Sequence, residues 1–474
     1  MDVVLFNSLG RRKETLRPLT PGLVRLYTCG PTVYNYLHVG NYRTYVFEDV
    51  LKRALKFAGF SVRHAMNITD VGHLTSQADE GEDKMEVGAA REGKTAWEIA
   101  RFYEKTFFED AAALDLDFHP GAAVPPEGEP GDVRCRATEH IAEQIDLVRR
   151  IEAKGLIYRT SDGIYFDTAK FPGYGRLAGE SHVEGLKEGA RVQANPEKRN
   201  ATDFALWKFS PAGARRQMEW DSPWGRGFPG WHIECSAMAM KHLGESFDIH
   251  CGGVDHIPIH HANEIAQSES ATGKPLARFW MHGEFLLMNK AKMAKSAGGF
   301  VRLKDLRERG YDALDFRCFC YGAHYRRQLD FSWEALDAAK TSRRRLKDAA
   351  TALKSAQPQP ACAEALEAFG RALCDDLNVP EAMAVVWETL RRDDLPAGSR
   401  LSFLKEAERV LALGLFKEEA AKSLPPEALA LFERYKAERA DKNYAASDAL
   451  RRELMDKHKV HVFETKEGSD WESA

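Results

Sequence analysis

The pattern of apolar and polar residues predicts a strand–helix–strand unit near the amino terminus. Residues 23–28 alternate between two faces, as is typical of a strand, and Cys29 to Pro31 ends it because proline cannot extend a central ladder. From Val46 to Ala58 apolar residues recur every four positions, which predicts a helix that ends at Gly59. Residues 61–66 form the next predicted strand. Together these elements predict a βαβ unit and therefore a parallel sheet.

The turn that joins the first strand to the helix is a candidate phosphate site. His38, Gly40 and Asn41 stand where backbone amides and the positive end of the helix dipole point toward an anion. Gly40 would let a ligand approach the backbone. The second strand ends at Asn67 to Asp70, at the edge where parallel sheets place their ligands. A capped turn without a ligand is the alternative for both segments, and the residues alone leave it open.

A second half of the same fold is predicted later in the chain. A strand over Ser246–His250 is followed by glycines and a carboxylate, among them Gly253 and Asp255. Glycine allows a nucleotide to approach the backbone, and the carboxylate can bind ribose hydroxyls. One further strand is predicted from Arg278 to Met288.

Two lysines follow that strand in a loop flanked by glycine. Lys292 and Lys295 offer mobile positive charge for a polyphosphate. A solvated basic loop without a ligand is the simpler alternative.

Breaks and shifts of composition divide this α/β chain into six predicted segments. Pro120 to Asp132 is rich in proline and glycine, and residues 172–230 are predicted to be irregular. After residue 335 the composition predicts helices, including a single helix from Glu427 to Lys457. The segments are a Rossmann-like first half at 1–114, a connective insertion at 115–225, a second half at 226–290, the lysine loop and its neighbours at 291–335, a helical bundle at 336–422 and a small terminal module at 423–474.

Composition restricts the class of protein. The chain has 474 residues, 44% of them hydrophobic and 29% charged, which suits roughly three domains with a sizeable core. Its net charge of −4 excludes a uniformly basic nucleic-acid binder but not a local basic face. No window predicts a signal peptide or a membrane span. Eight cysteines, single except for Cys318 and Cys320, favour a reducing compartment, so we expect a cytoplasmic protein.

Spacing selects one candidate group of metal ligands. His260 and Glu264 are four residues apart on a predicted helix and therefore share one face. Cys29 lies at a strand end and Cys235 near a helix start, both at edges where a βαβ sheet assembles its site. Two thiolates, an imidazole and a carboxylate are ligands that zinc prefers. Ordinary buried thiols remain the alternative, because the sequence has no Cys-x-x-Cys pair.

Taken together, the motifs resemble those of the cysteinyl-tRNA synthetases, a family of class I aminoacyl-tRNA synthetases. The resemblance covers essentially the whole chain and rests on six segments: Cys29 to Tyr34, His38 to Asn41, Asn67 to Asp70, Gly230 to Ser236, His260 to Glu264 and Lys292 to Ser296. The second segment is similar to the HIGH signature and the last one to the KMSKS loop. Two positions depart from these signatures, since Asn41 replaces the second histidine and Ala294 replaces the middle serine.

The resemblance implies an enzyme that activates L-cysteine with ATP and Mg²⁺. Cys29, Cys235, His260 and Glu264 would hold one zinc ion per chain, which binds the substrate thiolate and discriminates against serine. The implied catalytic groups are His38, Asn41, Lys292 and Lys295. ATP would be bound by Gly40, Gly253 and Asp255, together with His38 and Lys295. The amino acid would be bound by Gly30, Thr69 and Trp231. Cysteinyl-adenylate would form first, and its cysteinyl group would then pass to the terminal adenosine of tRNA(Cys).

The resemblance also implies tRNA(Cys) as a partner of a monomeric enzyme. Residues 423–474 are similar to the anticodon-binding module of the family, with Asp448 and Arg451 as candidate contacts, and Trp471 would stack on an unpaired base. Local clusters of positive charge are Arg326–Arg327, Arg343–Arg345 and Arg451–Arg452. Surface salt bridges are the alternative for any single arginine.

Three other functions stay open on sequence alone. A cysteine ligase of the mycothiol pathway, which joins cysteine to an amino sugar, would share the adenylation core but lack the terminal module. A zinc hydrolase would need an open metal position and a general base, and it would leave residues 292–296 unexplained. An inactive tRNA-binding protein would have lost the ATP-binding residues, which are present here apart from Asn41.

Overall fold

The computed structural model describes residues 1–71, 83–121, 123–179, 195–210, 216–288, 291–292, 300–417, 424–458, 460–465 and 468–473. Among them, every helix is either too short or too polar to span a lipid bilayer.

Strands and helices alternate in the first part of the chain, and helices dominate the second. The described strands are β1 (Val4–Asn7), β2 (Arg12–Thr15), β3 (Leu23–Thr28), β4 (Ser61–Ile68), β5 (Gly131–Arg136), β6 (Ile157–Arg159), β7 (Gly163–Phe166), β8 (Phe204–Phe209), β9 (Gly227–Pro229), β10 (Phe247–Gly253), β11 (Ala277–Gly283), β12 (Leu286–Met288), β13 (Ala291–Lys292), β14 (Leu329–Phe331), β15 (Val460–Thr465) and β16 (Gly468–Ser473). The described helices are α1 (Val39–Phe57), α2 (Lys84–Glu92), α3 (Ala96–Ala113), α4 (Ile141–Glu152), α5 (Trp231–Leu243), α6 (His260–Thr272), α7 (Leu303–Glu308), α8 (Ala313–Cys320), α9 (Trp333–Leu353), α10 (Ala363–Cys374), α11 (Val379–Arg391), α12 (Ala397–Leu411), α13 (Pro426–Ala440) and α14 (Tyr444–His458).

Five parallel strands form the central sheet in the order β11–β10–β3–β4–β5. The helix α1 connects β3 to β4, whose register pairs Leu23 with Ser61 and Thr28 with Met66. On the other side of β3, the strand β10 brings the second half of the fold against the first. The predicted Rossmann-like parallel sheet is therefore confirmed. Since all five strands run in one direction, their carboxyl ends share one edge, where such sheets bind ligands.

Two strands of the second half differ from their prediction. The strand predicted over Ser246–His250 continues to Gly253, because its last residues pair with β11. The single strand predicted from Arg278 to Met288 is two strands in different sheets, since β11 ends at Gly283 and β12 pairs with β13 and β14. At Gly283, the last residue of β11, a Cβ atom would lie 3.3 Å from Cδ1 of Phe47, so α1 packs closely against the backbone there.

A second sheet lies within the predicted insertion. The strands β6, β7, β8 and β9 are antiparallel in that order, and one apolar face packs with residues of α4 and α5. The prediction that residues 172–230 are irregular is wrong for β8 and β9. The strand β5 pairs with β4 in the central sheet, although it falls within residues 115–225. The boundary at 115 stays a prediction.

The carboxyl-terminal part is helical, with a small module at its end. The helix α12 was not predicted, and it packs with the helices α9 to α11 in the same apolar core as the central sheet. The single helix predicted from Glu427 to Lys457 is two helices, α13 and α14, because Lys442 between them adopts φ 63°. In the terminal hairpin, Val462 of β15 pairs with Trp471 of β16. The helices α13 and α14 and this hairpin contribute to an apolar cluster that is separate from the main core.

Candidate active site

Four side chains from separate elements meet at one buried point near the carboxyl edge of the sheet. Cys29 directly follows β3, Cys235 lies in the second turn of α5, and His260 and Glu264 lie one turn apart on α6. One ligand atom from each lies within 4.8 Å of the other three, and all four residues are buried. The structure thus brings together the four residues that the sequence selected as metal ligands. We call them the tetrad.

The geometry and the donor atoms of the tetrad fit a metal ion. Oε1 of Glu264 lies 3.1 Å from Nε2 of His260, yet it is buried and has no hydrogen-bond partner among the described residues. Zinc bonds of about 2.0–2.3 Å in tetrahedral geometry place ligand atoms roughly 3.3–3.8 Å apart. Two sulfur atoms, one nitrogen and one oxygen within 4.8 Å of one another are therefore compatible with a single ion between them.

The protonation states of the tetrad residues depend on one another. Burial raises the pKa of the Cys29 thiol well above its usual range, whereas a hydrogen bond from Cys29 lowers the pKa of Cys235 to about 6. Burial disfavours a charged His260, but the Cys235 thiolate beside it raises the pKa of His260 to about 10. Burial also disfavours a charged Glu264, but the nearby His250 lowers the pKa of Glu264 to about 2. A bound cation would take the place of the protons that balance these anions.

Further histidines surround the tetrad, and the sequence analysis missed them. Nε2 of His250 lies 2.9 Å from Oε2 of Glu264, and Nε2 of His261 lies 3.3 Å from Sγ of Cys29. Nδ1 of His261 in turn contacts Nε2 of His282 at 2.8 Å. Such contacts orient ligand side chains. The sequence offered only that each of His250 and His282 lies on a predicted strand, whereas the pairing of those two strands is seen in the structure alone.

A cavity of about 280 Å³ adjoins the tetrad. Its wall brings together four of the eight residues predicted for amino-acid and ATP binding, together with the predicted catalytic residue Asn41. The lining residues are Cys29, Gly30, Pro31, Thr32, Tyr34, Leu37, Asn41, Thr44, Tyr45, Trp231, Gly253, Asp255 and His256.

Gly30 lines this cavity, and Thr69 supports its wall. The backbone N–H of Gly30 donates to Oδ1 of Asn67 at 2.8 Å, and a Cβ atom at Gly30 would lie 1.8 Å from the carbonyl oxygen of Asn67. No side chain larger than hydrogen fits there. Thr69 is 1% exposed and hydrogen-bonds to the backbone of Pro31 and Val33. It supports the wall of the cavity and is not among the residues that line it.

The candidate phosphate turn is well formed. His38 is the N-cap residue of α1, and it forms a capping box with Asn41. A Cβ atom at Gly40 would lie 2.9 Å from Nδ1 of His38, so glycine keeps the first turn of the helix open at this point.

The lysine loop is described only in part. The backbone of Lys292 pairs with Leu287 in a short antiparallel hairpin. Lys295 lies outside the described residues.

Two of the arginine clusters considered for tRNA binding each contain one arginine that forms a salt bridge within the protein. Arg326 binds the buried carboxylate of Asp376 at 2.5 Å. Arg343 is buried, binds Asp315 at 3.0 Å and donates to the carbonyl oxygen of Leu413. These two arginines therefore form salt bridges with buried carboxylates, and a role of the clusters in tRNA binding stays a prediction.

Comparison with known proteins gives consistent matches. A family model described as the catalytic domain of class I (C) tRNA synthetases matches residues 15–341. A protein of Burkholderia lata named cysteine–tRNA ligase 1 is 49% identical over 99% of this chain and 96% of its own length. A cysteine–tRNA ligase of Treponema denticola is 44% identical over 96% of both chains.

A comparison of structures agrees on the fold. A methionyl-tRNA synthetase of Mycobacterium tuberculosis, solved with methionyl-adenylate, aligns with a TM-score of 0.57 over 83% of this chain and 93% of that chain. At 16% identity this likeness concerns the fold alone. The parallel sheet, the motifs at its edge and the full-length relatives together show that the chain belongs to the cysteinyl-tRNA synthetase family of class I aminoacyl-tRNA synthetases.

Proposed function

We propose that this chain is an ATP-dependent cysteine–tRNA ligase, which joins L-cysteine to the 3′-terminal adenosine of tRNA(Cys). The observation that carries the proposal is the position of the tetrad beside a cavity that Asn41, Gly253 and Asp255 also line. Candidate groups for a thiol and for a nucleotide thus share one cavity. Two relatives named cysteine–tRNA ligase, similar over nearly the full chain, support the same function.

We propose zinc as the metal of the tetrad, because its donor atoms are those that zinc prefers. When bound, zinc would take the substrate thiolate as a further ligand, and the hydroxyl of serine competes poorly for a thiophilic ion. A site built around one polar contact discriminates strongly against an analogue that lacks it. Trp231, which lines the cavity, and Thr69, which supports its wall, would shape the space for the rest of the amino acid.

The first step would be formation of cysteinyl-adenylate. A carboxylate oxygen of cysteine attacks the α-phosphorus of ATP, the bond from that phosphorus to the bridging oxygen breaks, and pyrophosphate leaves with Mg²⁺. This reaction needs no protein nucleophile, so the protein contributes positioning and charge stabilisation. Asp255 and Gly253 would hold the ribose, and Gly40 would let the phosphates approach the backbone of α1.

His38 and Asn41 would donate hydrogen bonds to the phosphates. Nδ1 of His38 accepts a hydrogen bond from the backbone of Asn41, so in the neutral imidazole the proton lies on Nε2, which can donate. Oδ1 of Asn41 accepts from the backbone of His38, which leaves its Nδ2 amide as a donor. Lys292 and Lys295 would stabilise the negative charge that develops on the leaving pyrophosphate.

The second step would transfer the cysteinyl group to tRNA. A hydroxyl of the terminal adenosine attacks the carbonyl carbon of the adenylate and loses its proton. The bond from that carbon to the phosphate oxygen breaks, and AMP leaves with the bonding electrons. We propose that the terminal module of residues 423–474, whose described residues include an apolar cluster of their own, binds the anticodon region. The presence of this module favours a tRNA acceptor over the amino sugar of the mycothiol-pathway alternative.

The experiment that tests this function combines two assays on the zinc-loaded protein. Charging of a tRNA(Cys) transcript with labelled cysteine is measured beside cysteine-dependent ATP–pyrophosphate exchange, with serine as the control amino acid. Charging with cysteine and neither activity with serine would support the proposal. Exchange without charging would favour another acceptor, which an amino-sugar substrate would then test. Absence of both activities would contradict the proposal.

A further inference from the structure

A buried arginine connects the helix of the phosphate turn to the strands that lead into the lysine loop. Arg43 lies on α1, five residues after His38, and is 4% exposed. Among the described residues, its guanidinium donates only to backbone carbonyl oxygens. These are the oxygens of Glu284 at 2.9 Å, His324 at 3.5 Å, Phe285 and Arg327.

The carbonyl groups that Arg43 binds belong to two loops that also contact each other. Glu284 and Phe285 form the turn before β12, and residues 324–327 form the segment before β14. The N–H of Glu284 donates to the oxygen of Tyr325 at 2.8 Å, and β12 and β14 then run parallel. Arg43 therefore fixes the two loops that lead into β12 and β14 of this three-stranded sheet. Because β13 pairs with β12, the same sheet contains the backbone of Lys292.

The other flank of the lysine loop is attached to the same helix. The backbone N–H of Val39, the first residue of α1, donates to the oxygen of Val301 at 2.8 Å. The ring of Phe300 lies 6.0 Å from the ring of His38. Both described flanks of residues 293–299 are thus fixed to the first two turns of α1, the helix that also positions His38.

We propose that Arg43 is a positioning residue for adenylate formation, because it fixes the strand that leads to Lys292 at a set distance from His38 and Asn41. The part of this inference that concerns adenylate formation rests on the proposed function. A misplacement of reacting groups by about 1 Å can cost roughly a hundredfold in rate. Lysine keeps the charge of Arg43 but cannot donate to carbonyl groups of two loops with the geometry of a planar guanidinium.

The chain offers a matched control for a purely structural role. Arg63 on β4 is 3% exposed, and it also donates to four backbone carbonyl groups. Its partners are the oxygens of His242, Pro125, Pro126 and Glu129. Arg63 lies near the amino-terminal end of its strand, whereas the candidate site lies at the carboxyl ends. Replacement of either buried guanidinium should therefore lower the stability of the protein. Only replacement of Arg43 should also disturb the catalytic geometry.

The first measurement is cysteine-dependent ATP–pyrophosphate exchange by the zinc-loaded wild type, Arg43→Lys and Arg63→Lys. We expect Arg43→Lys to lower kcat roughly tenfold to a hundredfold and to leave the KM for cysteine within about twofold. Metal content should not change. Arg63→Lys should keep kcat within about twofold of the wild type. An unchanged kcat in Arg43→Lys, or an equal loss in both variants, would overturn the proposal.

The second measurement is backbone hydrogen exchange, which does not depend on the proposed function. We expect Arg43→Lys to speed exchange in residues 284–292 and 324–331, and Arg63→Lys to speed it near residues 125–131. Equal protection of residues 284–292 in the wild type and Arg43→Lys would overturn the positioning role, even if the wild type had no exchange activity. If Arg43→Lys does not fold, Arg43→Gln replaces it. Failure of both to fold, with Arg63→Lys folded, would assign Arg43 to stability alone and overturn the proposal.

Discussion

His38 and Asn41 satisfy each other's backbone at the first turn of α1. The N–H of Asn41 donates to Nδ1 of His38 at 3.2 Å, and the N–H of His38 donates to Oδ1 of Asn41 at 3.1 Å. This reciprocal pair is a capping box in which a histidine and an asparagine take the usual roles of serine and glutamate. The departure of Asn41 from the HIGH signature therefore preserves a fixed helix start. Because the capping box engages Nδ1 of His38, Nε2 is the nitrogen that can face a phosphate.

Substitution of Asn41 should affect both stability and catalysis. Asn41→Ala removes one half of the capping box and should cost about 1 kcal/mol of unfolding free energy. It also removes the amide proposed to contact phosphate, so kcat for pyrophosphate exchange should fall roughly tenfold to a hundredfold. Glu98→Ala is the matched control, because Glu98 takes the same position as Asn41 in the capping box that it forms with Thr95 at the start of α3. Chemical denaturation and exchange kinetics would measure the two effects, and equal catalytic losses in both variants would contradict the role of Asn41.

Removal of a tetrad ligand should abolish metal binding. Cys235→Ala leaves three of the four ligands and should lower the metal content of the purified protein from about one ion per chain to near zero, with loss of cysteine activation. Cys135→Ala is the control, since Cys135 is equally buried in β5 but is not part of the tetrad. Elemental analysis after dialysis measures the metal. Full occupancy in Cys235→Ala would exclude the tetrad as the site.

The terminal module should serve the tRNA and not the adenylation reaction. Its apolar residues, including Leu424, Phe432, Leu454 and Val462, form a cluster apart from the main core. Removal of residues 426–474 should therefore leave pyrophosphate exchange within about twofold and reduce kcat/KM for tRNA charging at least tenfold. Parallel assays of both reactions on the truncated chain would test this. Undiminished charging would show that the module does not bind tRNA.

Stability should decrease at acidic pH through His64. Burial and then the positive charge of Lys52 lower the pKa of His64 to about 3, and its Nε2 contacts Oγ1 of Thr28 at 2.9 Å. The folded state keeps His64 neutral, whereas the unfolded chain takes up a proton below pH about 6.5. The contribution of the neutral His64 to the free energy of unfolding is thus complete above pH about 6.5. It is lost toward pH 3, by at most about 1.4 kcal/mol per pH unit.

His64→Gln should remove that part of the pH dependence. Denaturation midpoints measured between pH 4 and 7.5 would give the slopes for the wild type and the variant. His119→Gln is the control, because the side chain of His119 is 79% exposed. A variant slope equal to that of the wild type would show that other groups account for the acid sensitivity.

Local periodicity in the sequence determined the elements that frame the site. The strand over residues 23–28 and the helix that follows it were predictable, because the spacing of apolar residues reflects which face of each element is buried. The pairing of His260 with Glu264 was predictable for the same reason, since residues four apart share a helix face. The prediction of one helix from Glu427 to Lys457 failed because the pattern does not reveal a positive φ at Lys442.

Only the tertiary structure decided which distant residues meet. The packing of α5 against β3 places Cys235 beside Cys29, and the order of strands brings His250 and His282 onto neighbouring strands. No local pattern encodes either arrangement. The four carbonyl contacts of Arg43 likewise depend on loops more than 200 residues away along the chain. Periodicity determines the buried face of an element, but contacts between elements depend on how those faces pack in three dimensions.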